Sequence, residues 1–274
     1  MKKKIVKDVI FHAVMIILAL IWIYPYAWMF ISSFKVPNEI FGKFIPSKLT
    51  LEHYKFIFFM SKKLERPFIR AFLNSVFIST VVTFSVMFFS SLIAYPLSKL
   101  KFGGGKAVFN FIIFQMLFPG FIFIIPLFVL IKKLHLLNTY PALIVPYLMS
   151  AWGVFMITQA YKSIPNDYIE AAKIDGARTL WIILKVLLPL VRGTVSIVGL
   201  FTFISIWDNF MWPLIVMKDY NKMPLAVLLA TFHHEYAAYV GPLLAGSVLQ
   251  TIPMIVIFII FRKQFLKGIS MSFK

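Results

Sequence analysis

The chain has 274 residues, 61% of them hydrophobic and only 14% charged, with a formal net charge of +18 and no cysteine. Charged residues make up about a quarter of a soluble domain, so this composition excludes an ordinary soluble globular fold. The lack of cysteine excludes disulfides, thiolate metal sites and cysteine nucleophiles.

The charges are clustered. Residues 9–34, 71–98, 107–131, 134–161 and 236–261 carry no Asp, Glu, Lys or Arg, and residues 193–217 carry only Asp208. Each run exceeds the roughly 20 residues that a helix needs to cross the hydrocarbon core of a bilayer. None alternates polar and apolar residues as a lipid-facing barrel strand does, so helices are the reading. The sequence predicts an all-α membrane protein with six transmembrane helices, at about 10–34, 71–98, 107–131, 140–161, 193–217 and 243–262. The basic start, Met1-Lys2-Lys3-Lys4, resembles the n-region of a signal peptide. The apolar run behind it is too long, however, and no small-residue cleavage site follows, so the first span is expected to remain in place. Trp22, Tyr24, Tyr26 and Trp28 are suited to anchoring its outer end at the headgroups.

In a soluble protein a charge of +18 would suggest nucleic acid. Here the lysines and arginines fall between spans, where they face anionic headgroups, so no nucleic-acid partner is expected. With the N-terminus inside, the inner segments hold 16 of the 28 basic residues and the outer segments 12, a weak positive-inside bias. Both termini are therefore expected in the cytoplasm.

The outer segment 35–70 contains Pro37, Pro46 and Pro67, which break any long helix. Lys101-Phe-Gly-Gly-Gly-Lys106 reads as a tight inner hairpin. It is not a phosphate loop, because no Gly-Lys-Ser/Thr follows a strand. Residues 218–242 form a second outer loop carrying His233 and His234, too few ligands for a metal site. Pro25, Pro96, Pro119, Pro126, Pro146, Pro213 and Pro253 fall within spans, where they kink helices. No internal repeat is evident.

The most informative segment is 162–192. Ser163 is placed to cap a helix that has Pro165 in its first turn, Asp167 at its positive end and a terminus near Ile174. Gly176 suits a left-handed turn. Asp175 or Thr179 can then cap a second helix, about 179–187, ended by Pro189. Ala171 and Ala172 beside Glu170 leave a shallow face that another surface could approach, with Glu170 and Asp175 available for pairing. Leu180, Trp181, Ile183, Leu184 and Leu187 would equally suit a helix lying in the lipid interface. Physical chemistry leaves docking and lipid contact both open.

Glu170-Ala171-Ala172-x-x-Asp175-Gly176-Ala177, followed by Leu188-Pro189, resembles the EAA loop of permease subunits in binding-protein-dependent ABC importers. The likeness extends along the chain through Arg70-x-x-x-Asn74-Ser75, Ala94-Tyr95-Pro96-Leu97, Phe118-Pro119, Pro126-Leu127, Leu137-Asn138-Thr139 and Ile164-Pro165. Trp207-Asp208-Asn209-Phe210-Met211-Trp212-Pro213-Leu214 is similar to the tryptophan–proline stretch of carbohydrate permeases, in particular the subfamily of the smaller maltose-transporter permease. Three positions depart from the family pattern. Val186 stands where isoleucine is usual, the order Trp207-Asp208-Asn209 replaces Trp-Asn-Asp, and the tail Gln264–Lys274 lacks the usual second glycine run.

The resemblance implies a type I importer permease fold with a cytoplasmic coupling helix in the loop 162–192. That loop would lie in a core of residues 71–262, between an N-terminal span with its outer loop (1–70) and a cytoplasmic tail (263–274). It implies that Glu170, Ala171, Ala172, Asp175, Gly176 and Ala177 dock on an ATPase. Glu170 would pair, the alanines would seat the helix, and Gly176 would allow the turn. The implied partners are a second homologous permease, two cytoplasmic ATP-binding subunits and an extracytoplasmic sugar-binding protein, in a bacterial or archaeal cytoplasmic membrane. This chain has no phosphate loop, so it is expected to be no enzyme and to hold no cofactor, ATP and magnesium belonging to the ATPase.

Asp208 within a span is costly, about 2.5–3.5 kcal/mol on insertion scales, and thus a candidate for function. With Trp207, Asn209 and Trp212 it could offer a sugar aromatic faces and hydrogen-bond acceptors, or it could serve only packing. Asn74, Asn110, Gln115 and Gln250 suit interhelical hydrogen bonds. A permease for another solute, an ion-coupled secondary transporter and a scaffold remain as alternatives. The span-five stretch argues against the first. The lack of repeats and of a carboxylate relay argues against the second, and the EAA-like loop against the third.

Overall fold

The computed structural model describes residues 2–63, 65, 67–235 and 240–271, without the side chains of 2–5, 62, 233–235 and 263–271. His233, His234 and the tail from Gln264 therefore lie outside the described side chains. The described residues are helical or irregular, and the one extended pairing among them is an isolated bridge between Lys35 and Leu49.

The helices that frame the fold are α1 (Lys2–Ser32), α2 (Phe68–Lys99), α3 (Gly105–Gln115), α4 (Gly120–Lys133), α5 (Tyr140–Ile144), α6 (Ala151–Lys162), α7 (Asp167–Ile174), α8 (Thr179–Leu190), α9 (Arg192–Trp207), α10 (Met211–Val216), α11 (Leu225–Glu235) and α12 (Val240–Met271). Four stretches, Val6–Ser32, Phe68–Lys99, Tyr140–Lys162 and Val240–Arg262, are each long and apolar enough to cross a membrane. If each of two bent pairs, α3 with α4 and α8 with α9, forms one span, the candidate spans among the described residues number up to six.

Chain contacts divide the protein into two units, residues 1–69 with 228–253 and residues 70–227 with 254–274. In the first unit, Lys35 at the outer end of α1 is fully buried, with its ammonium 3.4 Å from the carbonyl of Ile40 and 6.0 Å from the ring centre of Trp28. His53 Nε2 lies 2.8 Å from the Lys35 carbonyl, and the hydroxyls of Ser33 and Tyr54 lie 2.8 Å apart. The outer segment is thus folded on itself, although its prolines keep it from forming one long helix.

In the second unit α2, α6 and α9 pack closely through small residues, as membrane helices do. A β-carbon on Gly153 of α6 would lie 2.8 Å from Ser90 Oγ of α2 and 3.2 Å from Val198 of α9. At Gly199 it would lie 2.7 Å from the Met87 sulfur. Asn74 of α2 donates to the carbonyls of Asn221 and Met223, each at 3.0 Å, and accepts from the Tyr140 hydroxyl at 2.9 Å.

Several sequence expectations change. The third apolar run is no straight span: α3 and α4 meet at 95° across residues 116–119, where Pro119 is extended (φ −60°, ψ 130°). The fifth ends its helix at Trp207 and resumes at Met211, so Asp208 caps a helix end rather than sitting within one. The fourth is interrupted between Tyr147 and Ala151. Much of the loop expected at 218–242 is the helix α11, whose Leu225, Val227, Leu228, Leu229 and Phe232 are buried.

Candidate functional site

The segment 162–192 forms a helix, a glycine turn and a second helix, as its sequence predicts, but with different caps. Ser163 closes α6, its hydroxyl donating to the Ala160 carbonyl at 2.8 Å, and Asn166 precedes α7. The end of α7 is a Schellman turn. The Ala177 amide donates to the Ala172 carbonyl at 2.9 Å, and the Gly176 amide to the Lys173 carbonyl at 3.0 Å. Gly176 takes φ +78°, a left-handed conformation that costs other residues about 1–2 kcal/mol. Arg178, extended at φ −75° and ψ 153°, leads into α8, so neither Asp175 nor Thr179 caps it. Pro189 does not end α8. A π-helical turn over Ile182–Leu187 resets the hydrogen-bond register, placing Pro189 in the first turn of a new segment, where its missing amide is not needed.

α8 and α9 meet at 89°, with the bend at Val191. The loop's second helix therefore runs across the axis of the fifth span. Ile169 and Ala172 of α7 and Ile182, Ile183 and Leu187 of α8 are buried in one apolar core with Ala94 and Tyr95 of α2 and Tyr161 of α6. Lys99, at the end of α2, bonds to the Ile164 carbonyl and to Asn166 Oδ1, the latter at 3.2 Å. With Val195 and Val198 of α9 in the same core, this packing ties the loop to three spans.

The opposite side of the loop is open. Tyr168, Ala171, Ala172, Asp175, Gly176, Ala177, Arg178, Trp181 and Val186 line a concavity of about 650 Å³. Ala171 and Glu170 are exposed, whereas Ala172 is 8% exposed and turns mainly to the core. Ile174 is 86% exposed and Trp181 53%. This concave face of small residues is thus rimmed by exposed apolar and charged side chains. Large apolar groups left open to this extent suit contact with a protein or with lipid.

The second candidate cluster separates into two pairs. Trp207 is 1% exposed, stacked on Phe203 at 5.9 Å and edge-on to Phe72 at 5.6 Å. Trp212 is 2% exposed, and its indole N–H donates to the Ala142 carbonyl at 2.8 Å. Their rings are packed into the core, which fits packing, one of the two roles left open for them, rather than stacking on a solute. Asp208 and Asn209 lie in the break between α9 and α10, with Asp208 exposed and Asn209 Nδ2 donating to the Tyr147 hydroxyl at 3.0 Å. Sequence reasoning missed Tyr147. Its signal was Pro146, whose missing amide falls where the fourth span breaks. Among the described residues no group of three or more His, Cys, Asp or Glu is placed to hold a metal.

Residues 87–270 match the family of binding-protein-dependent transport system inner membrane components. The arabinooligosaccharide transport system permease AraQ of Halalkalibacterium halodurans is 32% identical over 93% of this chain and 92% of its own length. The trehalose/maltose transport system permease MalG of Thermococcus litoralis is 30% identical over 98% of both chains. The diacetylchitobiose uptake permease NgcG of Streptomyces coelicolor is 30% identical over 94% of this chain and 86% of its own. A chain of the crystal structure of a bacterial ABC transporter that imports the acidic polysaccharide alginate shares the fold, with a TM-score of 0.85 and 23% identity over 96% of this chain and 98% of that one. The resemblance drawn from the loop and the span-five stretch is thereby borne out: this chain belongs to the family of binding-protein-dependent transport system inner membrane components.

Proposed function

We propose that this chain is one permease half of an ABC importer for a sugar or oligosaccharide, driven by separate ATPase subunits docked on the loop 162–192. The observation that carries the reading is the concave face of that loop, with Ala171 and Glu170 outward and the other side fixed to α2, α6 and α9. Movement of a body seated there would reach three spans without passing through a flexible linker. Glu170 pairs with a basic or polar group of the ATPase, Ala171 allows close approach, and the Gly176 turn sets the angle between α7 and α8. Asp175 closes α7 at the rim of the concavity, and Ala172 and Ala177 hold the turn together by the hydrogen bond between their main chains.

On this reading 162–192 and both termini lie in the cytoplasm of a bacterial or archaeal cell. A homologous second permease completes the pore, two ATP-binding subunits hold ATP and magnesium, and an extracytoplasmic binding protein delivers solute. The saccharide class follows the names of the relatives, whose cargoes are arabinooligosaccharides, diacetylchitobiose and trehalose or maltose. The test is uptake of labelled arabinotriose, lactose, maltose and trehalose by cells carrying the complete transporter. Saccharide uptake that requires ATP and the binding protein, and survives collapse of the ion gradients, is expected. Uptake confined to peptides, amino acids or phosphate, or persisting after ATP depletion, overturns the proposal.

A further inference from the structure

The fourth apolar run contains an irregularity just beyond Pro146. Between Tyr147 and Ala151 the chain leaves helical geometry, with Ser150 extended at φ −131° and ψ 122°. The break falls near the middle of the span Tyr140–Lys162. Backbone outside a helix leaves amides and carbonyls without intrahelical partners, and hydrocarbon supplies none. At that depth such backbone is tolerated only where it is buried in protein or borders water. Here it borders a cavity.

The cavity has a volume of about 390 Å³ and is lined by Val82 and Val86 of α2, by Tyr147, Met149, Ser150 and Trp152 around the break, and by Phe201, Thr202, Ser205 and Ile206 of α9. That volume lies within the usual range of small-molecule sites, about 300–1,000 Å³. Its polar groups are uncharged. Ser150 accepts from the Gly153 amide at 3.1 Å, and the Thr202 hydroxyl donates to the Val198 carbonyl at 2.8 Å, leaving its oxygen able to accept. Ser205 is exposed on the same wall. The Tyr147 oxygen accepts from Asn209, so its own proton is free to be donated to another acceptor. The aromatic wall is Trp152 set edge-on to Phe201 at 5.6 Å, both only partly covered. Hydroxyls and an aromatic wall without charge do not suit an ion or a peptide terminus. They suit a neutral polyol, whose hydroxyls need donors and acceptors and whose C–H faces need apolar contact.

We infer that this cavity, walled by Tyr147, Ser150, Trp152, Phe201, Thr202 and Ser205, is a saccharide subsite contributed by this subunit at the level of the broken fourth span. The inference rests on the functional reading above and adds where this half of the pore meets its cargo. Asn209 becomes a positioning residue that orients the Tyr147 hydroxyl.

The test uses cells and proteoliposomes carrying the complete transporter, with labelled maltose, lactose and arabinotriose as probes. The variants are Ser205→Phe, which fills the cavity, and the milder Thr202→Val and Tyr147→Phe. Uptake and ATP hydrolysis stimulated by the loaded binding protein are measured together, because a merely structural lesion lowers both in parallel. Ser205→Phe is expected to cut uptake about tenfold while stimulated hydrolysis persists. Each mild variant is expected to raise the ATP consumed per sugar by about fivefold, the worth of one hydrogen bond. An unchanged ratio of ATP to sugar in all three variants overturns the subsite and leaves the functional reading standing. If the unaltered transporter takes up none of the three sugars, the functional reading falls and the subsite falls with it.

Discussion

Lys99, the last residue of α2, holds the start of the loop 162–192, its ammonium bonding to the Ile164 carbonyl and, at 3.2 Å, to Asn166 Oδ1. A hydrogen bond to a charged group is worth about 1.5–3 kcal/mol when buried, and partial exposure here lowers that to about 1 kcal/mol. Lys99→Met should therefore leave membrane insertion intact while loosening the loop locally. Hydrogen exchange at amides 166–176 is expected to quicken about fivefold and sugar uptake to fall, with Lys99→Arg retaining more of both. Unchanged exchange in Lys99→Met would show that the anchor lies in the apolar core alone.

The Gly176 turn separates conformation from contact. No atom lies within 4 Å of a β-carbon built there, so any cost of substitution comes from the φ of +78°. Gly176→Val should cost about 1–2 kcal/mol or more and tilt α7, whereas Gly176→Asn, which tolerates the left-handed region, should keep most transport. If both variants transport alike, the turn does not set the docking angle.

Glu170 tests the docking surface itself. It is exposed in the first turn of α7, beside Asp167, which also supplies negative charge there, so Glu170→Lys should insert normally and yet abolish uptake and ATPase stimulation. A compensating acidic substitution on the ATPase should restore part of both. Wild-type uptake in Glu170→Lys would remove the basis for placing the ATPase on this face.

What the sequence revealed was local. Six charge-poor runs are legible because hydropathy sums over neighbours, and the Gly176 turn because only glycine sits comfortably at positive φ. Ser163 misled because its hydroxyl had a second option, the carbonyl of its own helix at Ala160. Pro189 misled because a π-helical turn absorbs it. The two tryptophans could not be placed at all, since an indole in an apolar helix looks the same facing lipid, solute or core. Only the packing of α2 and α5 against them decides.

That placement gives Trp212 a structural role that can be measured. Trp212→Phe keeps most of the apolar volume but strands the Ala142 carbonyl, at about 1–3 kcal/mol. Trp207→Ala empties a core site, at about 3–5 kcal/mol. Both should lower the thermal stability of the purified protein, and Trp212→Phe should leave sugar selectivity unchanged. A change of selectivity without loss of stability would return Trp212 to the solute pathway.

Asp219 makes the turn between α10 and α11 sensitive to acid. Its carboxylate accepts from the Asn221 amide at 2.9 Å and lies 3.4 Å from Lys222, and these partners, the Asn221 amide foremost, hold its pKa below the usual 3.8. A lowered folded value means that the contribution is complete above about pH 4 and is lost as pH falls through the folded value. Amide exchange at 217–223 should therefore be steady from pH 7 to 5, after correction for intrinsic rates, and rise below pH 4. Asp219→Asn should show the faster exchange at every pH. A rise centred above pH 5 would point to another group.

Gly153 marks a close approach of three spans of the second unit. A β-carbon there would meet Ser90 Oγ at 2.8 Å, Val198 at 3.2 Å and Val86 at 3.3 Å, on two different helices. Rotation of the serine relieves one contact, but the two valines cannot both retreat, because Val86 and Val198 are themselves buried. Gly153→Ala should therefore cost about 1–3 kcal/mol as overpacking, and Gly153→Leu should prevent assembly. Pairing Gly153→Ala with Val198→Ala restores the volume and should recover more than half of the lost stability in a thermal melt, a coupling expected only of residues in contact. Additive losses in the double variant would mean that α6 and α9 do not meet at this point in the membrane.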